Sequence, residues 1–188
     1  DLLFDMADEF GLRFVLCRGG ALESASAHPG FSKTALQPET LDQMVGDIER
    51  LKSRYHQDTP DAMRRVVVAP TTPTFSLPPT LLRELAHTAR GLGLRLHTHL
   101  SETQNYVNFC REKYNCLPVE FVAEHEWLGP DVWFAHAVHM QPGEIRMLAQ
   151  TGTGVSHCPV SNARLGSGLA PIPQMFEAGV PISLGVDG

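Results

Sequence analysis

The stretch LRLHTHLSET, residues 94–103, puts two histidines and a glutamate at the end of a short apolar run. The run is typical of a β-strand, in which His97 and His99, two residues apart, point to the same face. Glu102 follows three residues after His99. The stretch predicts either a metal-binding and acid–base site or a strand with a polar end, and the surrounding sequence distinguishes the two.

The composition is that of an ordinary globular domain. The chain has 188 residues, 43% of them hydrophobic and 19% charged, which is enough for one sizeable core. Its 21 acidic and 15 basic residues are scattered, without a basic run of the kind that binds nucleic acid. The apolar runs are shorter than the roughly 20 residues of a membrane-spanning helix, and the N-terminus has no signal-peptide pattern. We therefore expect a soluble, cytoplasmic protein with no nucleic-acid or membrane partner.

The four cysteines are predicted to be reduced thiols. They show no C-x-x-C spacing and are too sparse for a disulfide framework in a chain of this size. Two of them lie six residues apart on a predicted helix, so they do not share a face and a local metal clip is not expected. The cysteines are Cys17, Cys110, Cys116 and Cys158.

Six short apolar runs are predicted to be β-strands, with amphipathic helical segments between them. The absence of hairpin turns between the runs predicts parallel pairing and the α/β class. The long connection after the first run, residues 19–37, is expected to be a functional loop. The runs are RFVLCRG (13–19), RVVVAP (65–70), RLHTHL (95–100), VWFAHAV (132–138), GVSHCPV (154–160) and PISLGVD (181–187).

Two parallel architectures fit this order, an open doubly wound sheet and a (β/α)8 TIM-type barrel. A phosphate-binding G-x-G-x-x-G after the first strand would favour the open sheet, and the sequence has none there. The barrel is favoured because reactive side chains recur at the C-terminal ends of successive strands, which meet on one face of a barrel. These side chains are His97, His99, His136, His157 and Asp187.

Imidazoles combined with one carboxylate suit zinc or ferrous iron. Water bound to such an ion has a pKa of about 7 and is partly hydroxide at neutral pH. A glutamate that is not a ligand can then carry a proton to a leaving nitrogen, and Glu102 is placed for this task. Each residue also has a structural alternative. His97 is interpreted as a hydrogen-bonded residue of the barrel interior and His139 as a loop residue, while Asp187 could be a helix N-cap.

Four segments, in this order and spacing, resemble the metal-dependent amidohydrolase superfamily. Within it they resemble the cytosine deaminase-like group that contains guanine, 8-oxoguanine and isoxanthopterin deaminases. The resemblance covers essentially the whole chain and is strongest after residue 94. The segments are HTHLSET, FAHAVHM, GVSHCPVSNARLGSGLAP and ISLGVDG.

The resemblance implies a role for each site residue. His99 matches the metal-binding histidine of H-x-x-E after the fifth barrel strand, and Glu102 matches the proton shuttle. His136 matches the histidine that orients the attacking water and the developing charge. Asp187 matches the aspartate that binds the metal and accepts a proton from the water. His157, in SHCPVSN, matches a histidine that lines the site.

Two further residues are implied to contact the substrate. Phe75 closes TPTF, which resembles the segment with an Arg-Phe pair in guanine deaminases, so Phe75 is expected to stack on the substrate ring. Thr74 stands in place of the arginine. Arg18, at the end of the first predicted strand, matches an arginine of several relatives. It is expected either to bind a substrate carbonyl or to pair with an acidic neighbour.

The family carries an H-x-H metal-binding pair on its first barrel strand, and no strand before Arg13 carries it here. The six predicted strands then correspond to about strands 3 to 8. Residues 1–188 are therefore expected to be a partial metal-dependent hydrolase barrel, without the first two strands and the flanking β-sandwich. Such a fragment is expected to be inactive by itself and to come from a longer enzyme.

The resemblance implies hydrolytic deamination of an amino-substituted heteroaromatic ring by metal-bound hydroxide. The expected substrates are small heterocycles, either oxopurines such as guanine and 8-oxoguanine or pterins such as isoxanthopterin. One divalent metal ion is expected, zinc with iron as the alternative, and relatives often form homodimers. A hydrolase that removes chloride or alkylamine from a triazine-like ring is an alternative, and so is an inactive, metal-free member.

Overall fold

The computed structural model describes residues 1–22 and 38–187, so most of the predicted functional loop lies outside the described residues. The described strands are β1 (Phe14–Arg18), β2 (Arg64–Val68), β3 (Arg95–Leu100), β4 (Val132–His136), β5 (Gly154–His157) and β6 (Ile182–Leu184). The described helices are α1 (Leu2–Glu9), α2 (Leu41–Tyr55), α3 (Pro79–Gly91), α4 (Gln104–Tyr114), α5 (Pro118–Glu124), α6 (Pro142–Thr151), α7 (Pro159–Leu165) and α8 (Ile172–Glu177).

Within the described ranges, the six strands form one parallel sheet in the order of the sequence, β1 to β6. Each strand pairs only in parallel with its neighbours in the chain, and a helix follows each of the first five strands. A doubly wound sheet reverses its strand order at a switch point, whereas a (β/α)8 barrel adds strands in one direction. The α/β prediction and the barrel architecture are confirmed, with six consecutive strands forming an arc of the barrel.

The helices follow from local signals in the sequence. At the start of α2, Thr40 caps the backbone N–H of Gln43, and the Gln43 side chain accepts a hydrogen bond from the backbone of Thr40. This reciprocal capping box satisfies two donors that a helix start leaves unpaired. At the C-terminal end of α6, Gly152 adopts the left-handed conformation, with a φ of 69°. That conformation costs glycine little because it has no Cβ.

The two faces of β3 show which side of the sheet holds the core. Leu96 and Leu100 are fully buried beneath the helices, whereas Arg95, His97 and His99 on the opposite face are partly or fully exposed. The helices therefore cover the outer face of the arc, and the polar strand residues lie on the inner face. None of the described helices is both long enough and apolar enough to cross a membrane.

A buried carboxylate joins α5 to α6. Glu144 is 1% exposed, its Oε1 accepts a hydrogen bond from the Val119 backbone N–H at 3.0 Å, and its Oε2 accepts one from Gln141 N–H at 2.9 Å. Burial raises the pKa of the Glu144 carboxyl group. One side chain therefore satisfies unpaired donors at the starts of two helices.

We expect Glu144→Ala to lower the melting temperature of the protein that contains this chain. The substitution leaves two backbone donors without their acceptor, and each such loss costs about 1–3 kcal/mol when the donor is buried. Glu144→Gln keeps one acceptor oxygen and is expected to fall between the wild type and Glu144→Ala in thermal unfolding followed by circular dichroism. Equal melting temperatures for the two variants would contradict this interpretation.

Candidate metal and acid–base site

Three side chains at the C-terminal ends of β3, β4 and β6 offer ligand atoms that all lie within 4.8 Å of one another. They are His99, His136 and Asp187. Asp187 Oδ1 lies 4.0 Å from His99 Nε2, and Asp187 Oδ2 lies 3.6 Å from His136 Nε2. Glu102 borders the group, with its Oε2 3.7 Å from His136 Nε2. The fold thus brings together four of the residues predicted from the sequence.

The hydrogen bonds of the two histidines fix which ring nitrogen faces the group. His99 Nδ1 lies 2.6 Å from the carbonyl oxygen of Thr71, and His136 Nδ1 lies 2.9 Å from Asn162 Oδ1. Because both partners accept hydrogen bonds, this geometry favours the tautomers with the proton on Nδ1, which present the Nε2 lone pairs to the shared space. A metal-binding histidine typically has this arrangement. Two imidazole nitrogens and one carboxylate therefore fit zinc or ferrous iron.

The backbone is strained where the site residues leave their strands. Ser101, His136, Ala137 and Asp187 all have φ between 49° and 71°, in the left-handed region that side chains other than glycine rarely adopt. Such strain is concentrated at functional sites. The group is therefore held in place by a backbone geometry that costs free energy and that the surrounding contacts maintain.

The strain at His136 explains how its ring reaches the site. In the paired register, His99 of β3 lies opposite Ala135, so continued alternation would send His136 to the outer, helix-covered face. The left-handed conformation ends β4 at His136, two residues before the end of the predicted strand. The ring of His136 then stacks on that of His99, with centroids 5.4 Å apart.

Glu102 and Asp187 are both partly exposed to solvent but differ in their hydrogen bonds. Asp187 Oδ2 accepts a hydrogen bond of 2.6 Å from Ser161 Oγ, which leaves Oδ1 facing His99. The Glu102 side chain is 26% exposed and faces His136, which is 1% exposed. Glu102 is thus adjacent to the ligand atoms and also accessible to solvent, as a group that exchanges protons must be.

His97 and His139 lie outside the group. His97 Nδ1 lies 3.0 Å from the carbonyl oxygen of Trp133, and its ring stacks on the indole at 4.8 Å. Burial lowers the pKa of His97 to about 4, so the ring is neutral at physiological pH. His139 Nε2 lies 2.8 Å from the carbonyl oxygen of Ser167. These contacts support the interior and loop interpretations, which stay predictions.

The structure places Arg18 in ion pairs with acidic side chains of the following segment. Its guanidinium lies 2.7 Å from the carboxylates of both Glu39 and Asp47, and these contacts raise the pKa of Arg18. The geometry matches the alternative in which Arg18 pairs with acidic neighbours. Its contact with a substrate carbonyl stays a prediction.

Phe75 and His157 were also predicted to face the substrate. Phe75 is buried in the core, where its ring packs edge-on against Tyr106 with centroids 5.1 Å apart. His157 ends β5, and its buried Nδ1 has no hydrogen-bond partner among the described residues. Burial lowers the pKa of His157. For both residues the substrate contact stays a prediction.

Three residues that contact the site histidines and aspartate were not identified from the sequence: Thr71, Ser161 and Asn162. Thr71 contributes its backbone carbonyl, and a backbone atom leaves no trace in the residue type. Ser161 and Asn162 lie in the segment GVSHCPVSN, in which the sequence predicted His157 as the site residue. Their adjacent polar side chains directly after a strand are the one sequence feature that could have identified them.

Comparison with known proteins assigns the sequence to a family. The sequence profile described as "Amidohydrolase family" matches residues 1–188. The chain is 56% identical over 187 residues to isoxanthopterin deaminase of an unknown prokaryotic organism, covering 100% of this chain and 39% of the relative. It is 39% identical over 189 residues to 8-oxoguanine deaminase of Pseudomonas aeruginosa, covering 100% of this chain and 41% of the relative.

A solved structure has the same fold. Atrazine chlorohydrolase TrzN from Arthrobacter aurescens TC1, complexed with zinc, superposes with a TM-score of 0.89 at 30% identity, over 98% of this chain and 40% of that chain. The chain thus spans about 40% of the length of these relatives. The family profile matches the entire sequence, and both curated relatives match it from end to end. This chain belongs to the amidohydrolase family.

Proposed function

We propose that the protein containing this chain is a hydrolytic deaminase of amino-substituted heteroaromatic rings of the pterin and oxopurine kind. The observation that carries the proposal is the convergence of His99, His136 and Asp187, with Glu102 beside them. The 56% identity to an isoxanthopterin deaminase and the 39% identity to an 8-oxoguanine deaminase support this substrate class.

His99 Nε2 and the Asp187 carboxylate would hold one divalent metal ion, with His136 Nε2 close enough to bind the ion or its water. Zinc is the proposed ion because the solved relative TrzN is complexed with zinc, and iron is the alternative. When bound, the ion supplies Lewis acidity that lowers the pKa of a coordinated water to about 7. The remaining ligands are proposed to come from an H-x-H pair outside this chain.

The side chains divide the proton transfers among them. Asp187 accepts a proton from the attacking water as the new C–O bond forms at the ring carbon that bears the amine. Glu102 delivers its proton to the ring nitrogen, and the proton taken up by Asp187 passes to the exocyclic amine, so that the C–N bond breaks and ammonia leaves. As the carbonyl forms, the hydroxyl proton of the intermediate returns to Glu102. His136 Nε2 accepts a hydrogen bond from the water and so orients it for the attack.

Residues 1–188 are proposed to form part of an eight-stranded barrel, with β1 to β6 corresponding to barrel strands 3 to 8. Exposed apolar side chains border both edges of the sheet, as expected where further strands pack. Leu184 and Val186 at the β6 edge are 80% and 73% exposed, and Leu12 and Val15 are exposed at the β1 edge. A homodimer, a cytoplasmic location and the absence of nucleic-acid and membrane partners stay predictions.

Ammonia release tests the proposed activity. The full-length protein is loaded with zinc and incubated with isoxanthopterin, 8-oxoguanine and guanine, and ammonia is quantified by a coupled dehydrogenase assay. We expect turnover of at least one of them, with the pterin favoured by the higher identity. No turnover of any aminated heterocycle would exclude the deaminase function.

A triazine hydrolase is the second candidate, favoured by the TM-score of 0.89 to an atrazine chlorohydrolase. The same side chains could assist the removal of chloride or alkylamine from a triazine ring. Measuring chloride, alkylamine and ammonia release side by side separates the two activities. A protein that binds no zinc and releases none of these products would instead be the inactive, metal-free member.

Gly185 packs too tightly against β5 to accept a side chain. Its backbone N–H donates to the carbonyl of His157 at 2.8 Å, and a Cβ added at this position would lie 2.9 Å from Cys158 Sγ and from Ser156 Oγ. A Cβ cannot approach heavy atoms this closely, so either these two side-chain ends or the Gly185 backbone must shift. Because Asp187 follows two residues later, a shift of the backbone would move its carboxylate away from the histidines.

We therefore expect Gly185→Ala to weaken zinc binding and to destabilise the protein by about 1–3 kcal/mol, the usual cost of overpacking. Zinc affinity is measured by chelator competition and stability by thermal unfolding. Gly143→Ala is the matched control, because the atom nearest to a Cβ added there is the flexible end of the Arg146 side chain, 3.8 Å away. Adding Ser156→Ala and Cys158→Ala removes both colliding atoms and should restore part of the affinity. Unchanged zinc binding in Gly185→Ala would refute the argument.

A further inference from the structure

Two adjacent residues of α7, Ser161 and Asn162, contact two different side chains of the candidate site. Ser161 Oγ donates to Asp187 Oδ2 at 2.6 Å, and Asn162 Oδ1 lies 2.9 Å from His136 Nδ1. Asp187 follows β6 and His136 ends β4, so one turn of helix supports residues from two strands on either side of β5. Both Ser161 and Asn162 are buried, which protects these hydrogen bonds from competing water.

The backbone holds this turn of helix in place. Asn162 N–H donates to the Cys158 carbonyl at 3.0 Å, and Ser167 N–H donates to the Asn162 carbonyl at 2.9 Å. Pro159 occupies the first turn of α7, where its fixed φ favours the helix directly after β5. The two side chains therefore extend from a backbone that is anchored on both sides.

We propose that Ser161 and Asn162 are positioning residues of the site: Asn162 holds the proton of His136 on Nδ1, and Ser161 holds one carboxylate oxygen of Asp187. This inference rests on the proposed metal-dependent function. With the proton on Nδ1, the Nε2 lone pair of His136 faces Asp187 and Glu102. With Oδ2 held by Ser161, Oδ1 of Asp187 is directed towards His99.

The opposite tautomer of His136 would have a different effect. A proton on Nε2 would point towards the carboxylates of Glu102 and Asp187, which lie 3.7 and 3.6 Å away, and a small movement of either would make a hydrogen bond. That contact would remove the lone pair from the site and occupy the carboxylates. His136 is almost fully buried, so no solvent is available to set the tautomer, and the acceptor on Nδ1 decides it.

The test uses the full-length protein with Asn162→Leu, Asn162→Asp, Ser161→Ala and the control Val160→Ala. Leucine has a similar volume but accepts no hydrogen bond, aspartate keeps an acceptor oxygen, and Val160 is 59% exposed on the same helix. Zinc affinity is measured by chelator competition. In the metal-free protein, the ¹⁵N shifts of His136 identify the protonated nitrogen, with assignment by their loss in His136→Gln.

We expect the wild type to carry the His136 proton on Nδ1. Asn162→Leu and Ser161→Ala are each expected to lose about 10–100-fold in zinc affinity, as for other outer partners of metal ligands. Asn162→Leu should also change the His136 tautomer, whereas Asn162→Asp and Val160→Ala should resemble the wild type in both measurements. If Asn162→Leu does not fold, the proposal is still tested by the wild-type tautomer of His136 and by the zinc affinity of Ser161→Ala compared with that of Val160→Ala.

A wild-type His136 protonated on Nε2, or zinc affinities of Asn162→Leu and Ser161→Ala equal to that of Val160→Ala, would overturn the proposal. Loss of stability in these variants without a change in tautomer or affinity would show that α7 only supports the fold, and would overturn it as well. Neither measurement depends on turnover. The positioning proposal can therefore fail while deamination is observed, and it can succeed for a different reaction.

Discussion

Glu102→Gln is expected to lower kcat of the proposed deamination about 10²–10⁴-fold, the usual contribution of a general acid–base group. Glutamine keeps the size and the polarity of the side chain but neither accepts nor delivers a proton at neutral pH. Glu102 borders the ligand group through a 3.7 Å approach of its Oε2 to His136 Nε2. Because the group of possible ligands consists of His99, His136 and Asp187, zinc content should not change.

The measurement combines ammonia release with zinc analysis of the same preparation. The loss should fall on kcat more than on KM, since the proton transfers occur during the reaction and contribute little to substrate binding. Glu112→Gln, at an exposed position of the neighbouring helix α4, is the matched control and should keep full activity. A Glu102→Gln enzyme with at least half of the wild-type kcat would exclude Glu102 as the proton shuttle.

Much of the site could be predicted because of one property of parallel sheets. All C-terminal strand ends lie on the same side, so a histidine after β3 and an aspartate after β6 become neighbours although 87 residues separate His99 from Asp187. The alternation of apolar runs and amphipathic helices was sufficient to predict all six described strands and their parallel order. The position of a residue at a strand end therefore predicts its neighbours in the site wherever the sheet topology alone brings those strand ends together.

The remaining features of the site depend on backbone conformations and long-range contacts that the sequence pattern of strands and helices does not encode. Alternation along β4 predicts that Ala135, not His136, faces the same side as His99, and only the left-handed backbone at His136 reverses this. The tautomer of His99 depends on a carbonyl of Thr71 in a different loop. The ion pair of Arg18 with Asp47 joins residues 29 positions apart, and neither residue type alone distinguishes such a pair from a substrate contact.

His97 and His99 provide a matched pair for testing the metal site. They lie on the same strand, two residues apart, with their rings 6.2 Å apart. His99 Nε2 faces Asp187, whereas the ring of His97 lies against Trp133 and donates to its carbonyl. Substituting either histidine removes the same chemical group, so a difference between the two variants reports on position alone.

His99→Ala is expected to reduce zinc affinity by more than about 100-fold, the upper end of the loss caused by removing an outer partner of a metal ligand. Turnover should fall in parallel, because the proposed metal ion would lower the pKa of the attacking water. His97→Ala should keep zinc binding and lose stability, since it removes the ring that packs on Trp133. Equilibrium dialysis with zinc, followed by metal analysis, measures both variants.

The pair also separates the two interpretations of the H-T-H sequence. If His97 were a ligand, its neutral ring would have to turn away from Trp133, and His97→Ala would then lose zinc as His99→Ala does. The hydrogen bond of Nδ1 to the Trp133 carbonyl and the stacked indole oppose that movement. Equal zinc loss in the two variants would therefore contradict the ligand set of His99 and Asp187, whereas loss in His99→Ala alone would assign the metal to the end of β3.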